Sequence, residues 1–593
     1  MIGTHTVLGS LSSKDIDFTF LKYESWVDIK KIYESPDSML TSTVYDGYPF
    51  KVYFNKDWII TIEGMIFNFS DENVRDHCLD IINYIEEPSL FKSSIRSLVE
   101  YADGEFIIQL YNTKTEEYLI FNDYLGILPI YYSITKDYAI LSRTTKFHLK
   151  YLPDYQYSRA GISEILCFDF FIGNSTLFEN IEALAPATCI HITRKEVGFS
   201  HSIEQVCDIN FNYERKFADR EEAVSVLADK LIESCQCRVK KLQEDGYSLF
   251  HTLSGGFDSR LVLAMLSHCP IKKLHNVTYE YIRDESIVSQ EVHNKIRISG
   301  IKEFVKLSFN NDYSNRDMPL MQYVTDGRVN SFTTAVCYTD SLYFHNQLLS
   351  THKSVVFSGM GGEFFRHPFK RNIGKINPSY LIRIGVYGRS VKAIQKTLHL
   401  RKLHFLDKIN HYKETSIKDQ LKHLYYEYYL NFVIRAGVDR NRIFAYQIQP
   451  IMSVEVMKVL MHNIPLDWVD FRFFINVMAK ISPETLDIPI YNSTIDLKSE
   501  KSINQYDKDF SHQLSLKKKA KLLLKEIMPI SRKVHYKHTK ELMALYEKYS
   551  SPGISQLFDK EFLCKNIEQF GNKQNAVLSL MMYFHQLEKN KGR

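Results

Sequence analysis

The stretch Ser254-Gly255-Gly256-Phe257-Asp258-Ser259 (the first glycine turn) decides the fold of the middle of this 593-residue chain. The apolar run Tyr247–Leu253 precedes it and is typical of a buried strand, and Arg260–His268 follows it with helical character. A turn that leads from a parallel strand into a helix lies at the carboxyl end of that strand, where open α/β sheets bind ligands. The sequence therefore predicts a ligand site in this turn.

The residue types of the first glycine turn indicate an anion as the ligand. Gly255 and Gly256 let the backbone approach a ligand closely, and the N–H groups at the start of the following helix favour negative charge. The hydroxyls of Ser254 and Ser259 can donate to the same oxyanion. Asp258 would repel a phosphate unless a cation intervened, so we expect Mg²⁺ between Asp258 and phosphate oxygens. The sequence has no Gly-x-x-x-x-Gly-Lys-Ser/Thr, which excludes the ordinary P-loop.

Further strands and helices alternate around this turn. The strand candidates are Leu274–Tyr279, Glu303–Leu307 and Ser354–Phe357, and the helix candidates are Arg220–Leu242 and Glu285–Ser299. Such alternation predicts an α/β unit with a doubly wound parallel sheet. From about residue 376 onward the pattern is mainly helical.

The first part of the chain, to about residue 205, has a different pattern. Short strands alternate with turns, and the helix candidates are Val74–Tyr84 and Lys92–Tyr101. This pattern predicts an α+β unit with packed sheets. We therefore expect three regions: 1–210, 211–500 and a helical C-terminal extension, 501–593.

Composition excludes several classes of protein. The 74 Lys and Arg residues against 70 Asp and Glu residues give a net charge of only +4, which disfavours a polybasic nucleic-acid binder. Nine cysteines without a Cys-x-x-Cys pair disfavour zinc ribbons and disulfide scaffolds, and fit reduced thiols in the cytoplasm. The sequence shows neither a signal-peptide pattern nor a run of 18 apolar residues, so we expect no membrane span.

The first glycine turn matches the PP-loop of the N-type ATP pyrophosphatases, which holds pyrophosphate while AMP is transferred. About a hundred residues later, Ser358-Gly359-Met360-Gly361-Gly362-Glu363 (the second glycine turn) resembles the Ser-Gly-x-Gly-x-Asp segment of asparagine synthetases and β-lactam synthetases. The resemblance implies that the second turn closes over ATP and that Leu253, Val277 and Gly359 contact the adenosine. Glu363 stands in the place of the family's aspartate, which implies that it shares the metal with Asp258.

The N-terminal region resembles the glutaminase domain of the same family. The matching segments, in order, are Glu63–Asn68, Asp103–Phe106, Asn122–Tyr132 and Leu184–Ala187, and the resemblance as a whole covers residues from about 40 to 490. It implies an Ntn-hydrolase-like sandwich. The glutaminase nucleophile of that family is an N-terminal cysteine. Here Ile2 follows Met1 and the first cysteine is Cys78, so we expect no glutamine hydrolysis. A processed start at Thr4 or Ser10 is the alternative.

The implied reaction is ATP-dependent, AMP-forming amide synthesis, with ATP and Mg²⁺ as cofactors. Met360 stands where asparagine synthetases have Glu and β-lactam synthetases have Tyr, so the usual group that deprotonates the amine is missing. Asp284 and Glu285 are candidates for that base, with capping of the next helix as the alternative. Arg472 is a candidate to stabilise the adenylate phosphate, with a salt bridge to a neighbouring carboxylate as the alternative.

Three functions stay open from the sequence. The first is a ligase that joins an amine to a small-molecule, peptide or glycan carboxylate. The second is an asparagine synthetase that uses free or partner-supplied ammonia. The third is a degenerate protein that binds a nucleotide or a partner without turnover. We expect neither nucleic acid nor a membrane as a partner, and the N-terminal region is the candidate surface for a homodimer or a partner protein.

Overall fold

The computed structural model describes residues 2–12, 18–22, 24–152, 154–280, 285–308, 323, 326, 344–349, 353–366, 394, 398–400, 405–491, 495–510, 544, 547–550, 557–558 and 574–590. The part up to Gln205 consists of two six-stranded antiparallel sheets (the sandwich), with strand orders β10-β8-β9-β1-β3-β2 and β12-β11-β7-β6-β5-β4. The strands are β1 Gly3–Gly9, β2 Asp28–Ser35, β3 Ser38–Val44, β4 Phe50–Asn55, β5 Trp58–Ile66, β6 Gly104–Asn112, β7 Tyr118–Asn122, β8 Tyr131–Ile134, β9 Tyr138–Ser142, β10 Glu182–Ala183, β11 Thr188–Arg194 and β12 Phe199–Gln205.

Apolar side chains fill the space between the two sheets. Leu8 and Leu141 of the first sheet belong to one buried cluster with Ile107 and Ile120 of the second. Four helices cover the outer faces, so that both faces of the central strands are apolar. The helices are α1 Asp71–Asn83, α2 Pro88–Tyr101, α3 Thr145–Tyr151 and α4 Arg159–Phe168. The predicted packed sheets and the two predicted helices are confirmed.

A five-stranded parallel sheet follows the sandwich, in the order β15-β14-β13-β16-β17. Its strands are β13 Ser248–Thr252, β14 Lys273–Glu280, β15 Ile301–Ser308, β16 Ser354–Phe357 and β17 Tyr446–Ile448, and its helices are α5 Arg220–Glu244, α6 Phe257–Leu266 and α7 Ser286–Lys295. The chain passes from β13 to β14 and β15 on one side, and then crosses to β16 and β17 on the other. The strand order therefore reverses between β13 and β16, where such sheets form a ligand crevice.

Both faces of the parallel sheet are covered. Leu249 and Val355 belong to one buried cluster, whereas their chain neighbours Phe250 and Val356 belong to another. Because successive side chains of a strand point to opposite faces, a strand buried on both sides has a continuous apolar sequence. The alternation of strands and helices predicted a parallel sheet, and the structure confirms that prediction.

The rest of the described chain is mainly helical, as predicted. The α-helices are α8 Phe405–Asn410, α9 Ile417–Tyr428, α10 Asp439–Asn441, α11 Val454–Lys458, α12 Phe471–Ile481, α13 Glu500–Phe510 and α14 Gln574–Asn590. The 3-10 and π turns are Phe18–Leu21, His345–Leu349, Gly362–Arg366, Tyr429–Val438, Pro450–Met452, Val459–Asn463, Leu466–Trp468 and Pro483–Asp487. Most of the predicted extension 501–593 lies outside the described residues. None of the described helices combines the length and apolar character that a membrane crossing needs.

Candidate functional site

The first glycine turn joins β13 to α6 at the point where the strand order reverses. The Leu253 N–H donates to the Val277 carbonyl oxygen at 2.8 Å, which ties the start of the turn to β14. Leu253 and Val277 are both buried. Leu253 and Val277, two of the three residues predicted to contact the adenosine, thus lie side by side.

Hydroxyl groups hold the first glycine turn in shape. Ser254 Oγ lies 3.0 Å from Ser259 Oγ, and this second hydroxyl also accepts the Ser254 N–H at 3.1 Å. Ser254 Oγ in turn accepts the Gly256 N–H at 3.2 Å. Gly256 occupies the N-cap position of α6 and has no side chain to cap the helix. The N–H groups of the first turn of α6 are therefore suited to an anion.

The second glycine turn packs directly against the first. A Cβ on Gly359 would lie 2.5 Å from the Ser259 nitrogen, and a Cβ on Gly362 would overlap Asp258 Oδ1. Gly361 has a φ of +108°, which side-chain-bearing residues rarely adopt. Only glycines at these positions permit so close an approach. The structure thus brings together the two turns that the sequence singled out.

An arginine that sequence reasoning missed lies at the centre of this contact. Arg366 donates from Nη1 to Asp258 Oδ1 and from Nη2 to Asp258 Oδ2, both at 2.7 Å. Its guanidinium also lies over the rings of Phe257, at 5.9 Å, and Phe474, at 5.1 Å. Burial lowers the pKa of Arg366, but the Asp258 charge more than offsets it, so that the pKa is raised overall. The only sequence signal was a basic residue three positions after Glu363.

Glu363 lies close to the same pair. Burial raises its pKa, and the charge of Asp258 raises it further. The Tyr429 hydroxyl donates to Glu363 Oε2 at 3.0 Å. The predicted metal pair Asp258 and Glu363 is therefore brought within electrostatic reach, although the described residues contain no ready group of three or more His, Cys, Asp or Glu side chains that would hold a metal.

These residues fit a divalent cation that arrives with phosphate oxygens. Two carboxylates supply the hard oxygen ligands that Mg²⁺ prefers, and Mg²⁺ usually completes its shell with substrate phosphates and water. Gly362 leaves the space beside Asp258 Oδ1 that a Cβ would fill. Arg366 binds both Asp258 oxygens in this structure, so a cation there would meet the guanidinium at the same carboxylate.

Glu285 reaches the first glycine turn from the loop before α7. Its Oε2 accepts the Gly255 N–H at 2.9 Å, and its side chain makes no capping bond to α7. Asp284, the other candidate base, lies outside the described residues. Glu285 is the N-cap residue of α7, although its side chain makes no capping bond, and its role as a base stays a prediction.

Arg472 contacts residues of α13, and Met360 is exposed. Arg472 Nη2 donates to Asn504 Oδ1 at 2.7 Å, and Nη1 lies 3.8 Å from Glu500 Oε1, with both partners on α13. The salt bridge that the sequence left as an alternative is thus present. Met360 is 40% exposed and therefore lies at the surface of the second glycine turn.

The sandwich has a polar centre at the start of β1. Ile2 is 2% exposed and packs in the core. Glu63 accepts the Thr4 N–H at 2.8 Å, the Tyr48 hydroxyl at 2.6 Å and Arg143 Nε at 2.8 Å. The Glu63 carboxylate lies in a segment that resembles a glutamine-binding strand. It accepts hydrogen bonds from three donors of this chain.

Other acids of the glutaminase-like segments pair with residues beyond the sandwich. Asp103 binds Arg238 of α5 through Nη1 at 2.6 Å and Nη2 at 3.2 Å. Glu105 pairs with Arg442, and burial raises the Glu105 pKa to about 7 although Arg442 opposes the shift. These ion pairs join the sandwich to the rest of the chain.

Comparison with known proteins agrees with the reading of the sandwich. Residues 88–202 match a family model described as a glutamine amidotransferase domain. The predicted resemblance to an amidotransferase is therefore confirmed for these residues. A search of the curated proteins gives no match.

Similar solved structures include an allosteric regulatory enzyme of purine biosynthesis, at 9% identity over 52% of this chain and 74% of that chain, with a TM-score of 0.21. A second is the glutamine phosphoribosylpyrophosphate amidotransferase from B. subtilis complexed with ADP and GMP, at 11% identity over 61% of this chain and 71% of that chain, with a TM-score of 0.20. Likeness at this level carries no conclusion about the substrates of this chain.

Proposed function

We propose that the chain is an ATP-dependent, AMP-forming amide ligase, which adenylates a substrate carboxylate and transfers it to an amine. The observation that supports this most is the packing of the two glycine turns at the reversal of strand order. There, serine hydroxyls, helix N–H groups and two carboxylates surround one crevice. A turn with a purely structural role would not require Gly362 in direct contact with the Asp258 carboxylate.

In the proposed reaction the substrate carboxylate attacks the α-phosphate of ATP, and pyrophosphate leaves. The N–H groups of α6 and the hydroxyls of Ser254 and Ser259 would stabilise the negative charge that gathers on pyrophosphate. Asp258 and Glu363 would hold Mg²⁺, which neutralises charge on the phosphates. An amine then attacks the acyl-adenylate and AMP leaves. Glu285, beside the turn, is our candidate to accept the amine proton.

We also propose that the sandwich does not hydrolyse glutamine. Ile2 packs in the core ahead of β1, and the Glu63 carboxylate already accepts three donors of this chain. The sandwich then acts as a support, joined to the ligase region by the Asp103–Arg238 and Glu105–Arg442 pairs. An Ntn-hydrolase-like ancestry and a cytoplasmic setting belong to the same proposal, and the described cysteines are all free thiols.

Exchange of labelled pyrophosphate into ATP tests the proposal. The full chain would be screened with aspartate, peptides and uronic acids as carboxylates, with Asp258→Ala as the inactive control. Exchange with a carboxylate other than aspartate supports the specialised ligase. Exchange with aspartate alone, followed by asparagine formation from ammonia, would replace it with an asparagine synthetase. ATP binding without exchange for any carboxylate would leave only the degenerate nucleotide-binding alternative.

A further inference from the structure

The Asp258–Arg366 pair engages both oxygens of the Asp258 carboxylate. Each carboxylate oxygen accepts one guanidinium N–H at 2.7 Å, in the planar two-bond arrangement that makes arginine–carboxylate pairs strong. The Asp258 side chain is 21% exposed and that of Arg366 is 13% exposed. The pair is therefore shielded on most sides, and still open on the side of the crevice.

A divalent cation on Asp258 would need the same oxygens. Mg²⁺ binds carboxylate oxygens at about 2.0–2.1 Å. A guanidinium nitrogen at 2.7 Å from the same oxygen would then lie only a few ångströms from the ion, and two like charges that close repel strongly in a partly buried site. The two cations therefore weaken each other's binding at Asp258.

The charges around the pair also favour the replacement of Arg366 by another cation at Asp258. With both carboxylates ionised, Asp258, Glu363 and Arg366 together carry one net negative charge, and such a cluster attracts one further cation. The guanidinium keeps support of its own when it leaves Asp258, since Phe257 and Phe474 lie beneath it and the negative Glu363 is near. Arg366 is thus a replaceable partner for Asp258.

We propose that Arg366 and the divalent cation of the nucleotide compete for the Asp258 carboxylate. Arg366 holds Asp258 until the cation takes its place, so that Asp258 binds metal well only together with ATP. This inference rests on the proposed function, because it assigns Arg366 a role at the same site. In the absence of a nucleotide the pair keeps the carboxylate neutralised and in position.

Binding of Mn²⁺ without nucleotide, followed by electron paramagnetic resonance, tests the competition. We expect Arg366→Met to bind Mn²⁺ at least about tenfold more tightly than the wild-type chain, and Arg366→Lys to show a smaller increase, because lysine cannot bond both oxygens in one plane. Arg194→Met is the matched control. Arg194 also pairs with a carboxylate, Glu116, and lies over an aromatic ring, Phe199, but it is in the sandwich. We expect no change from that variant.

Equal Mn²⁺ affinity in the wild type and in both Arg366 variants would overturn the inference. Thermal melts establish that the variants are folded, and Arg366→Lys decides the question if Arg366→Met does not fold. A separate titration with ATP in the presence of Mg²⁺ tests the proposed function. Absence of ATP binding by the wild-type chain would contradict the proposed function. The Mn²⁺ titration without nucleotide tests the competition between Arg366 and the cation separately.

Discussion

The sandwich and the parallel-sheet region carry motif acids of the same resembled family, yet they hold them differently. In the sandwich, Glu63 and Glu105 are fully buried and bind arginines of the chain. In the parallel-sheet region, Asp258 lies in a crevice between two glycine turns and is 21% exposed. The difference teaches that the fold buries the motif acids of the sandwich among its own arginines, whereas it leaves the Asp258 side chain partly accessible.

The energetic consequences differ in the same way. Removing one partner of a buried ion pair leaves an uncompensated charge, which costs about 3–5 kcal/mol. Asp258 and Arg366 are 21% and 13% exposed, so the loss of Asp258 should cost less stability than the loss of a fully buried partner, because water can reach part of the charge that remains. Substitutions in the sandwich should therefore affect folding, and substitutions in the glycine turns should affect turnover.

The largest effect is expected for Arg143→Met. Arg143 is fully buried between Glu63 and Asp439, so the substitution leaves two carboxylates without their shared cation. We expect the free energy of unfolding to fall by about 3–5 kcal/mol, as measured by denaturant titration. A loss below about 1 kcal/mol would contradict the structural role that we give to the sandwich acids.

Asp258→Asn should lower pyrophosphate exchange more than it lowers stability. The amide keeps the shape of the side chain but lacks the charge that a cation needs. We expect pyrophosphate exchange to fall by about 10²–10³-fold, in the range found when one group that stabilises a transition state is removed. The thermal midpoint should fall less than that of Arg143→Met, because the Asp258–Arg366 pair is partly exposed. A stable variant with wild-type exchange would refute the assignment of the first glycine turn.

Gly362→Ala tests whether the close contact between the two glycine turns is needed. The new Cβ would overlap Asp258 Oδ1, so one of the two turns must move. We expect a loss of about 1–3 kcal/mol of stability from overpacking, and a tenfold or larger loss of exchange. Gly437→Ala is the control, because the nearest atom to its new Cβ lies 3.7 Å away. Similar behaviour of the two variants would show that the close approach is unimportant.

An effect of pH on stability is expected in the sandwich. His148 is fully buried, and this burial lowers its pKa to about 3. In the unfolded chain His148 takes up a proton near pH 6.5, whereas in the folded chain it does so only near pH 3. The stability from the neutral, buried His148 is therefore present above pH 6.5 and is lost as the pH falls towards 3. One proton corresponds to a slope of about 1.4 kcal/mol per pH unit. His148→Gln should flatten the slope between pH 6.5 and 4, and an unchanged slope would contradict this.

The smallest effect is expected for Glu500→Gln. The Glu500 side chain is 84% exposed and lies 3.8 Å from Arg472. Exposed ion pairs contribute about 0–1 kcal/mol, so the unfolding midpoint should hardly move. If this substitution strongly lowered exchange while the fold stayed intact, Arg472 and its partner would belong to the ligase site, as the sequence first suggested for Arg472.

The sequence predicted much of the fold for identifiable reasons. The alternation of strands and helices predicted the parallel sheet, and the family resemblance of the second glycine turn implied that both turns belong to one site. Arg366 was missed because its contact depends on how the second turn folds back over the first. The pairing of Asp103 with Arg238 was missed because it joins residues far apart in the sequence and in different regions of the fold.

The most direct test follows both regions in one reaction. The full chain would receive ATP, labelled pyrophosphate, labelled glutamine and the panel of carboxylates. The account predicts labelled ATP with at least one carboxylate and no release of glutamate from glutamine. Glutamate release that depends on this chain, or no labelled ATP with any carboxylate, would contradict the contrast between a silent sandwich and an active parallel-sheet region.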